Sequence, residues 1–317
     1  MPSNAIWPRP EEAPLLEDLA KCVHCGLCVN ACPTFVITGL ETESPRGRIS
    51  MARSIADGEQ LLTPAIQGHW ELCLQCRACE AVCPSGVPFG RIMEGARAQL
   101  DADAPTGKMS RRLRKMLLRT IIARPRVLAV AVAPGRWLAA SWLRRMVLRR
   151  VSGKLGRLGA LEAQLPAHPG RPFRAGDRAP GGTNAVAKGI LFTGCIMGEL
   201  FGNVHRATMR VFARAGIPLE APAAQGCCGA LHAHDGDIDF ARTLARRNIE
   251  QMEHSAPLPI IVNSAGCAAA MKEYGQLLSQ DAEWRHRAHL FFGACVRPLR
   301  VPGETWDRAR IRGSHFE

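Results

Sequence analysis

Cysteine spacing limits what this chain can fold into more than any other feature. Eight of its 13 cysteines lie between Cys22 and Cys83, in two runs that each have the complete pattern CxxCxxCxxxCP. The first run comprises Cys22, Cys25, Cys28 and Cys32, followed by Pro33. The second run comprises Cys73, Cys76, Cys79 and Cys83, followed by Pro84. Clustering at a repeated spacing favours metal binding over isolated structural thiols.

Thiolates with this spacing are typical of a bacterial two-cluster ferredoxin. Three of them wrap a loop around one face of a 4Fe-4S cubane, and the fourth points to the neighbouring cluster. We therefore predict crossed ligation by two sets. The first cluster is assigned to Cys22, Cys25, Cys28 and Cys83, and the second to Cys73, Cys76, Cys79 and Cys32. A pair of structural zinc sites is the alternative, but zinc needs only two CxxC pairs.

The amino-terminal sequence indicates a reducing compartment. MPSNAIWPRPEEAP has neither a basic start nor an apolar core, so we expect no secretory signal and no disulfide framework. The longest apolar stretch begins at Val127 and is interrupted by Pro134, Gly135 and Arg136. Neither half approaches the roughly 20 residues of a membrane helix. The sequence predicts a cytoplasmic protein without a spanning segment.

The cysteines of the second half follow alternating strand and helix patterns. GILFTG predicts a strand ending near Cys195, residues 201–215 have helical spacing, and LPIIVNSAG predicts a strand ending near Cys267. Because α/β folds bind ligands at the carboxyl ends of strands, we expect these cysteines to converge with Cys227 and Cys228. Adjacent thiols are poorly placed for a disulfide. A cluster or a redox-active thiol site therefore competes with buried structural cysteines.

The composition divides the chain into four parts, and the fold class is α+β, mainly helical. We predict a helical two-cluster ferredoxin domain over 1–105, in which Ser44 and Pro45 begin one helix and a second begins near Pro88. The other parts are basic amphipathic helices with a Gly/Pro linker over 106–187, an α/β cysteine-rich domain over 188–280, and a tail over 281–317.

Several motifs carry a family resemblance. QGCCGALHAHDG around Cys227 and NSAGCAAAMKEYG around Cys267, together with Cys195, resemble the CCG domain of heterodisulfide reductases and related subunits. With the two cysteine runs and SPRGRIS at Ser44, the chain is similar to the iron-sulfur subunits of bacterial glycolate oxidase over roughly residues 14 to 280. Subunits of lactate-utilisation and anaerobic glycerol-3-phosphate dehydrogenase systems have a similar layout.

The resemblance implies an electron-transfer subunit of a membrane-associated 2-hydroxy-acid dehydrogenase. FAD would lie on partner dehydrogenase subunits that oxidise glycolate to glyoxylate, and electrons would pass to a quinone-linked acceptor at the inner membrane face. This chain has no GxGxxG after a strand and no phosphate-binding loop, so we expect no hydride acceptor on it. The resemblance implies either a further cluster or a catalytic thiol–disulfide site for Cys195, Cys227, Cys228 and Cys267.

Two departures from the family pattern affect these expectations. Ala270 stands where the fullest CCG motif has another cysteine, so a five-thiolate cluster cannot form, whereas a four-thiolate site can. Family members continue into another CCG domain, but the residues after Gln280 contain no second CCG motif and little periodicity. We expect an atypical tail of the kind that a truncated or frame-shifted product would have.

The net charge of +13 is concentrated in residues 109–127 and 141–154, where arginines interleave with apolar residues at helical spacing. The first interpretation is a solvated basic face opposite an apolar face packed on the core or a partner. The second is attachment to anionic lipid, with Trp137 and Trp142 at the interface. Nucleic-acid binding is third and is not expected, because the chain has one tyrosine and no recognition motif.

Overall fold

The chain forms two compact units. A computed structural model describes residues 7–140, 170–178, 187–253 and 258–296. The first unit contains Met1–Val127 and Gly229–Leu244, and the second contains Leu128–Cys228 and Ala245–Glu317. The segment that follows the adjacent cysteines Cys227 and Cys228 in sequence therefore belongs to the first unit.

The amino-terminal part of the chain is helical. Its helices, in chain order, are α1 (Leu16–Ala20), α2 (Pro33–Thr38), α3 (Pro45–Ala56), α4 (Pro64–Leu72), α5 (Ala78–Ala81), α6 (Phe89–Asp103), α7 (Lys108–Leu117) and α8 (Pro125–Ala140). One turn of π-helix, Leu118–Ile122, follows α7 directly.

Local signals in the sequence fix where these helices begin. Ser44 caps α3, since its hydroxyl accepts a hydrogen bond from the Gly47 amide at 3.0 Å, and Pro45 fills the first turn. Thr63 caps α4 in the same way, with the Ile66 amide at 3.3 Å. The predicted start of α3 is confirmed, and so is the start of α6 beside Pro88.

The core of the first unit draws on α3, α4 and α6. Ile49, Trp70 and Ile92, one from each helix, are buried in a single apolar cluster. Cys73 and Cys79 belong to the same cluster. Because close-packed cores tolerate little displacement, this packing holds the second cysteine run in a fixed position.

A small parallel sheet organises the second unit. The remaining elements, in chain order, are β1 (Gly189–Phe192), α9 (Ile196–Leu200), α10 (Gly202–Arg214), β2 (Leu219–Glu220), α11 (Ala230–His234), α12 (Ile238–Glu253), β3 (Ile260–Val262), α13 (Ala265–Lys272), α14 (Tyr274–Leu277), α15 (Arg285–Ala294) and β4 (Cys295–Val296). The strand order is β2-β1-β3-β4, and each pair is parallel. The predicted strands before Cys195 and Cys267 are confirmed as β1 and β3.

The sheet order places a topological switch point between β1 and β3. Ile190 of β1 lies opposite Glu220 of β2 on one side and Ile260 of β3 on the other. The chain therefore passes from β1 to β2 on one side, and from β2 it crosses back over β1 to β3 on the other side. Crevices at such points are where open α/β sheets bind ligands. Cys195 follows β1 and Cys267 follows β3, so both lie at this crevice.

Regular structure continues after Gln280, although the sequence there has little periodicity. Residues of this region form α15, and β4 then pairs with β3 through Cys295 opposite Ile260. The apolar face of α15 is small and lies among charged residues, which hides its helical period in the sequence. Ala288 and Phe291 are buried, and Phe291 stacks on Tyr274 with ring centroids 5.4 Å apart. Residues 297–317 lie outside the described part.

The apolar face of the basic helix α7 does not pack on the core, so that part of the first interpretation is wrong, whereas packing on a partner stays a prediction. Its cations form ion pairs with acidic residues of the first unit, namely Arg111 with Glu71, Arg114 with Asp235, and Lys115 with Asp101. Met109, Leu113 and Met116 are exposed instead. Residues 141–154, with Trp142, and the side chain of Trp137 lie outside the described part. Within the described residues, no helix is both long and apolar enough to span a bilayer.

Candidate iron-sulfur and thiol sites

The two cysteine loops of the first unit follow the same unusual backbone path. His24 and Gln75, each just before the second cysteine of its run, have φ values of 54° and 53°. Gly26 and Arg77, each just after that cysteine, have φ values of 84° and 56°. A left-handed conformation costs an ordinary residue roughly 1–2 kcal/mol. Strain of this kind persists mainly at functional sites, and its repetition marks both loops as equivalent.

Gly26 also lies close to the end of the Arg46 side chain. A Cβ atom at this position would lie 2.8 Å from Nη1 of Arg46. That guanidinium donates a hydrogen bond to the His24 carbonyl oxygen at 3.2 Å and pairs with Glu41. Arg46 therefore braces the first loop from outside.

Cys83 of the second run lies beside the first loop. Burial raises the pKa of the Cys28 thiol, and the neighbouring Cys22 and Cys83 thiols raise it further. One cavity is lined by all of Cys22, Cys25, Cys28 and Cys83, and Cys79 also reaches it. The cysteines assigned to the first cluster are thus brought together.

Cys32 of the first run lies beside the second loop. Burial raises the pKa of the Cys73 thiol, the Arg48 and Arg97 guanidinium groups oppose that rise, and the Cys32 thiol adds to it. Burial also raises the pKa of Cys79, with Cys73 and Cys76 contributing. Cys32 and Cys73 are buried, as is Cys79, whereas Cys76 is exposed.

The SPRGRIS motif supplies a buried cation at Cys32. The Arg48 side chain has no exposed surface, and its Nη1 lies 3.9 Å from the Cys32 sulfur and 3.1 Å from Oγ1 of Thr34. Its Nη2 pairs with the buried carboxylate of Glu43, which also hydrogen-bonds Nδ1 of His69. Removing either charge would leave the other buried and unpaired, at a cost of about 3–5 kcal/mol.

The donor set fits iron-sulfur clusters better than single metal ions. Among the described residues, no three Cys, His, Asp or Glu side chains are arranged around one point that a metal ion could occupy. In a cubane, each thiolate ligates a different iron, so the sulfurs surround the cluster instead of meeting at one point. Cysteine-only donor sets that face a shared cavity suit this chemistry.

Four cysteines of the second unit form a chain of thiol contacts. Cys195 hydrogen-bonds Cys227, Cys227 hydrogen-bonds Cys228, and Cys228 hydrogen-bonds Cys267. Cys195 and Cys267 follow β1 and β3, and Gly194 turns the chain between β1 and Cys195 with a φ of 64°. The predicted convergence of these four cysteines at the strand ends is therefore observed.

The thiols in this chain are not equivalent. The hydrogen bond from Cys228 lowers the pKa of Cys267, and the Ser264 hydroxyl lowers it further. The hydrogen bond with Cys227, together with burial, raises the pKa of Cys195. Hydrogen bonds with Cys227 and Cys267 raise the pKa of Cys228. Cys267 is therefore the preferred site of the negative charge.

Two residues that sequence reasoning missed hold the adjacent cysteines. Asn248 of α12 donates to the Cys227 carbonyl oxygen at 2.9 Å and accepts from the Gly226 amide at 3.2 Å. The Tyr274 hydroxyl donates to the Cys228 carbonyl oxygen at 2.7 Å. The signal for Tyr274 was available, since it is the single tyrosine of the chain and lies in the MKEYG motif. Nothing local marks Asn248.

Comparison with known proteins agrees with this arrangement. Residues 18–87 match the 4Fe-4S dicluster domain, and residues 190–272 match the cysteine-rich CCG domain. The glycolate oxidase iron-sulfur subunit of Escherichia coli is 32% identical over 300 residues, which cover 93% of this chain and 68% of that protein. The chain belongs to the family of glycolate oxidase iron-sulfur subunits. The prediction of a mainly helical ferredoxin domain followed by a CCG domain is confirmed.

Other relatives match to different extents. The probable glycolate oxidase iron-sulfur subunit of Bacillus subtilis is 34% identical over 281 residues, or 86% of this chain and 63% of that protein. Lactate utilization protein A of Anoxybacillus flavithermus is 33% identical over 98 residues, or 31% of this chain and 40% of that protein. The chain thus spans about two thirds of the length of its glycolate oxidase relatives. No solved structure matches it.

The order of thiol ionisation in the second unit can be measured. In metal-free, reduced protein, we expect Cys267 to react with iodoacetamide at lower pH than Cys195 and Cys228, because its pKa is lowered and theirs are raised. The Ser264→Ala variant should shift the Cys267 reaction to higher pH. Mass spectrometry of peptides alkylated across a pH series gives the order, and simultaneous labelling of all three thiols would contradict it.

Proposed function

We propose that the first unit binds two 4Fe-4S clusters with crossed ligation. Cys22, Cys25, Cys28 and Cys83 would hold the first cluster, and Cys73, Cys76, Cys79 and Cys32 the second. The observation that carries the proposal is that Cys83 lines one cavity with Cys22, Cys25 and Cys28, while Cys32 lies beside Cys73 of the other run. When bound, such clusters carry one electron at a time.

Two sites that each carry one electron indicate that this chain transfers electrons between other redox groups. Oxidation of glycolate to glyoxylate releases two electrons and two protons, and removal of hydride from carbon needs a flavin or nicotinamide. The chain has no motif for either. The proposal is therefore an electron-transfer subunit that receives electrons from an FAD-containing partner subunit and passes them to a quinone-linked acceptor.

The extent of similarity favours glycolate over lactate as the substrate of the whole complex. Relatives named for glycolate oxidase match 86% and 93% of this chain, through both the ferredoxin and the CCG domains. Relatives named for lactate utilisation match 31% of it. A short match of that extent cannot distinguish one ferredoxin-bearing subunit from another, whereas the long matches include the CCG thiols.

A second candidate function is thiol–disulfide chemistry at the CCG site. It is supported by the chain of contacts from Cys195 through Cys227 and Cys228 to Cys267 and by the lowered pKa of Cys267. A thiolate at the end of such a chain is the attacking group that exchange requires. The same four sulfurs would hold a further four-thiolate cluster under the alternative, with Asn248 and Tyr274 fixing the adjacent pair.

The proposal also places the chain on the inner membrane surface through α7. Met109, Leu113, Met116 and Leu117 follow one another at helical spacing and are exposed, and Arg112 beside them is exposed as well. An apolar stripe with a neighbouring cation is typical of helices that lie in an anionic lipid interface. We call this surface the α7 stripe. A peripheral position there would bring the clusters close to a quinone-linked acceptor.

Pairs of substitutions test the crossed ligation. Under the proposal, Cys25→Ser/Cys83→Ser removes one cluster and retains about four of about eight irons, whereas Cys25→Ser/Cys32→Ser removes both. Uncrossed ligation predicts the reverse, since Cys25 and Cys32 would then share a cluster. Iron analysis and EPR of anaerobically purified, reduced protein distinguish the two outcomes. Zinc in place of iron would refute both.

Purification from the native host tests the role in a complex. We expect the tagged chain, isolated without oxygen, to bring down FAD-containing subunits that reduce a dye with glycolate. Dye reduction by the flavoprotein should survive the loss of both clusters in Cys25→Ser/Cys32→Ser, whereas electron transfer to quinone should be lost. Recovery of the iron-loaded chain without any flavin would contradict the proposal.

The same material separates the second candidate function from the first. Disulfide reductase activity that is abolished by Cys227→Ser, with both ferredoxin clusters intact, would favour thiol–disulfide chemistry. Loss of iron beyond the two ferredoxin clusters in that variant would instead favour a further cluster. Unchanged iron content and electron transfer would leave the CCG cysteines with a structural role.

Vesicle binding tests the α7 stripe. We expect the chain to float with anionic vesicles, and Leu113→Glu to weaken binding about tenfold or more, because burial of a leucine side chain is worth about 1.5–3 kcal/mol. Leu61→Glu is the matched control, since Leu61 is exposed elsewhere in the first unit. Equal effects of the two substitutions, or no binding by the wild type, would exclude this surface.

A further inference from the structure

Arg97 of α6 holds the main chain at the start of the second cysteine run. Its Nε and Nη2 donate to the Trp70 carbonyl oxygen at 3.1 and 2.8 Å. Nη2 also donates to the carbonyl oxygens of Glu71, at 3.1 Å, and Cys73, at 2.5 Å. These carbonyls belong to the last turn of α4 and to the first cysteine of the run. One guanidinium group thus joins the end of a core helix to a proposed cluster ligand.

The same guanidinium contacts the segment Gly229–Leu244, which directly follows Cys227 and Cys228 in sequence and belongs to the first unit. Nη1 of Arg97 donates to the His234 carbonyl oxygen at 2.6 Å. The His234 ring hydrogen-bonds Glu94, one turn before Arg97 on α6, at 2.9 Å. A Cβ atom on Gly236 would lie 2.4 Å from the Arg97 carbonyl oxygen, so this contact needs a glycine.

Arg97 differs from Arg46 and Arg48 because no carboxylate lies close enough to form an ion pair with it. Arg48 pairs with Glu43, and Arg46 pairs with Glu41. In the part of the chain that the structure describes, Arg97 forms no ion pair, and its hydrogen bonds end on main-chain carbonyl oxygens. Burial lowers the pKa of Arg97, and the Cys73 sulfur and the more distant Asp235 carboxylate act against that decrease. A cation that is largely removed from water and has no paired carboxylate is stabilised by any further negative charge nearby.

The cluster ligated by Cys73 would supply that charge. Four thiolates give an iron-sulfur cluster a net negative charge, and reduction adds one more. Burial of Cys32, Cys73 and Cys79 disfavours the extra charge, because a low dielectric penalises it. A fixed cation at the same place favours it, since hydrogen bonds and charges near the sulfurs set cluster potentials.

We propose that Arg97 is a positioning residue that raises the reduction potential of the second cluster, the one assigned to Cys73, Cys76, Cys79 and Cys32. The inference rests on the proposed ligation of that cluster. A raised potential favours the second cluster as the electron acceptor of the pair. Arg97 also joins the Gly229–Leu244 segment to the main chain of the loop that contains Cys73.

Redox titration of the full chain, followed by EPR without oxygen, tests the inference. We expect Arg97→Gln to shift the potential of the second cluster by about 59 mV or more to negative values, which is a tenfold change for one electron. The first cluster should not shift. The Cys76→Ser variant identifies the second cluster, because the titration step that it removes belongs to that cluster.

Two further variants separate charge from structure. Arg97→Lys keeps the charge but has three donors in place of five, so its second cluster should retain a potential close to the wild type. Arg46→Gln is the matched control at the first loop and should leave the second cluster unchanged. Hydrogen–deuterium exchange of residues 229–244 should rise in both Arg97 variants, because both lose contacts to the His234 carbonyl.

These measurements separate failure of the proposed cluster ligation from failure of the role proposed for Arg97. Wild-type protein without two titrating clusters would refute the ligation itself. Two intact clusters with an unchanged second potential in Arg97→Gln would overturn the role of Arg97 alone. If Arg97→Gln lost the second cluster, its potential could not be measured. The potential of the second cluster in Arg97→Lys would then test the effect of charge. A near-wild-type potential in that variant supports the effect of charge, and a potential lowered by about 59 mV or more overturns it.

Discussion

Burial of cysteine thiols is the constraint on which the rest of this structure depends. Burial raises the pKa of Cys28, Cys73 and Cys79, so the folded chain without metal disfavours the thiolates that iron requires. Cys73 and Cys79 belong to the same core as Trp70, which means that the core cannot form without placing thiols inside it. Positive charge must compensate for this, and iron would supply most of it. Cluster binding and folding of the first unit are therefore coupled.

The two cysteine runs repeat the same sequence pattern, yet their surroundings differ. The second cysteine of each loop is exposed, but the first loop is braced by Arg46, whose charge is matched by Glu41. In the second loop, Cys73 and Cys79 are buried in the core, and the charges of Arg48 and Arg97 act on Cys73. The repeat explains why two similar clusters are proposed. The proposed effect of Arg97 would give them unequal reduction potentials and so favour electron transfer in one direction. The arginines that differ between the two loops lie on α3 and α6, outside the cysteine runs.

How much the sequence predicts depends on the range of the interaction. Helix starts at Ser44 and Pro88 and the strands before Cys195 and Cys267 follow from local patterns, and the parallel sheet then brings the two cysteines together. The partners of Asn248, Tyr274 and Arg97 are main-chain carbonyl oxygens that have no sequence signature. The orientation of α7 could not be predicted either, because periodicity defines a face but not what the face contacts. Its acidic partners, such as Glu71 and Asp235, lie in distant segments.

The two groups of cysteines also differ in a way that separates their chemistry. In the first unit, the thiols assigned to one cluster line a shared cavity, which suits sulfurs that each ligate a different iron. In the second unit, the thiols hydrogen-bond one another from Cys195 to Cys267. A four-thiolate cluster would need the four sulfurs deprotonated and bound to iron in place of these hydrogen bonds. Thiol–disulfide exchange needs a thiolate next to other thiols, which is the arrangement observed.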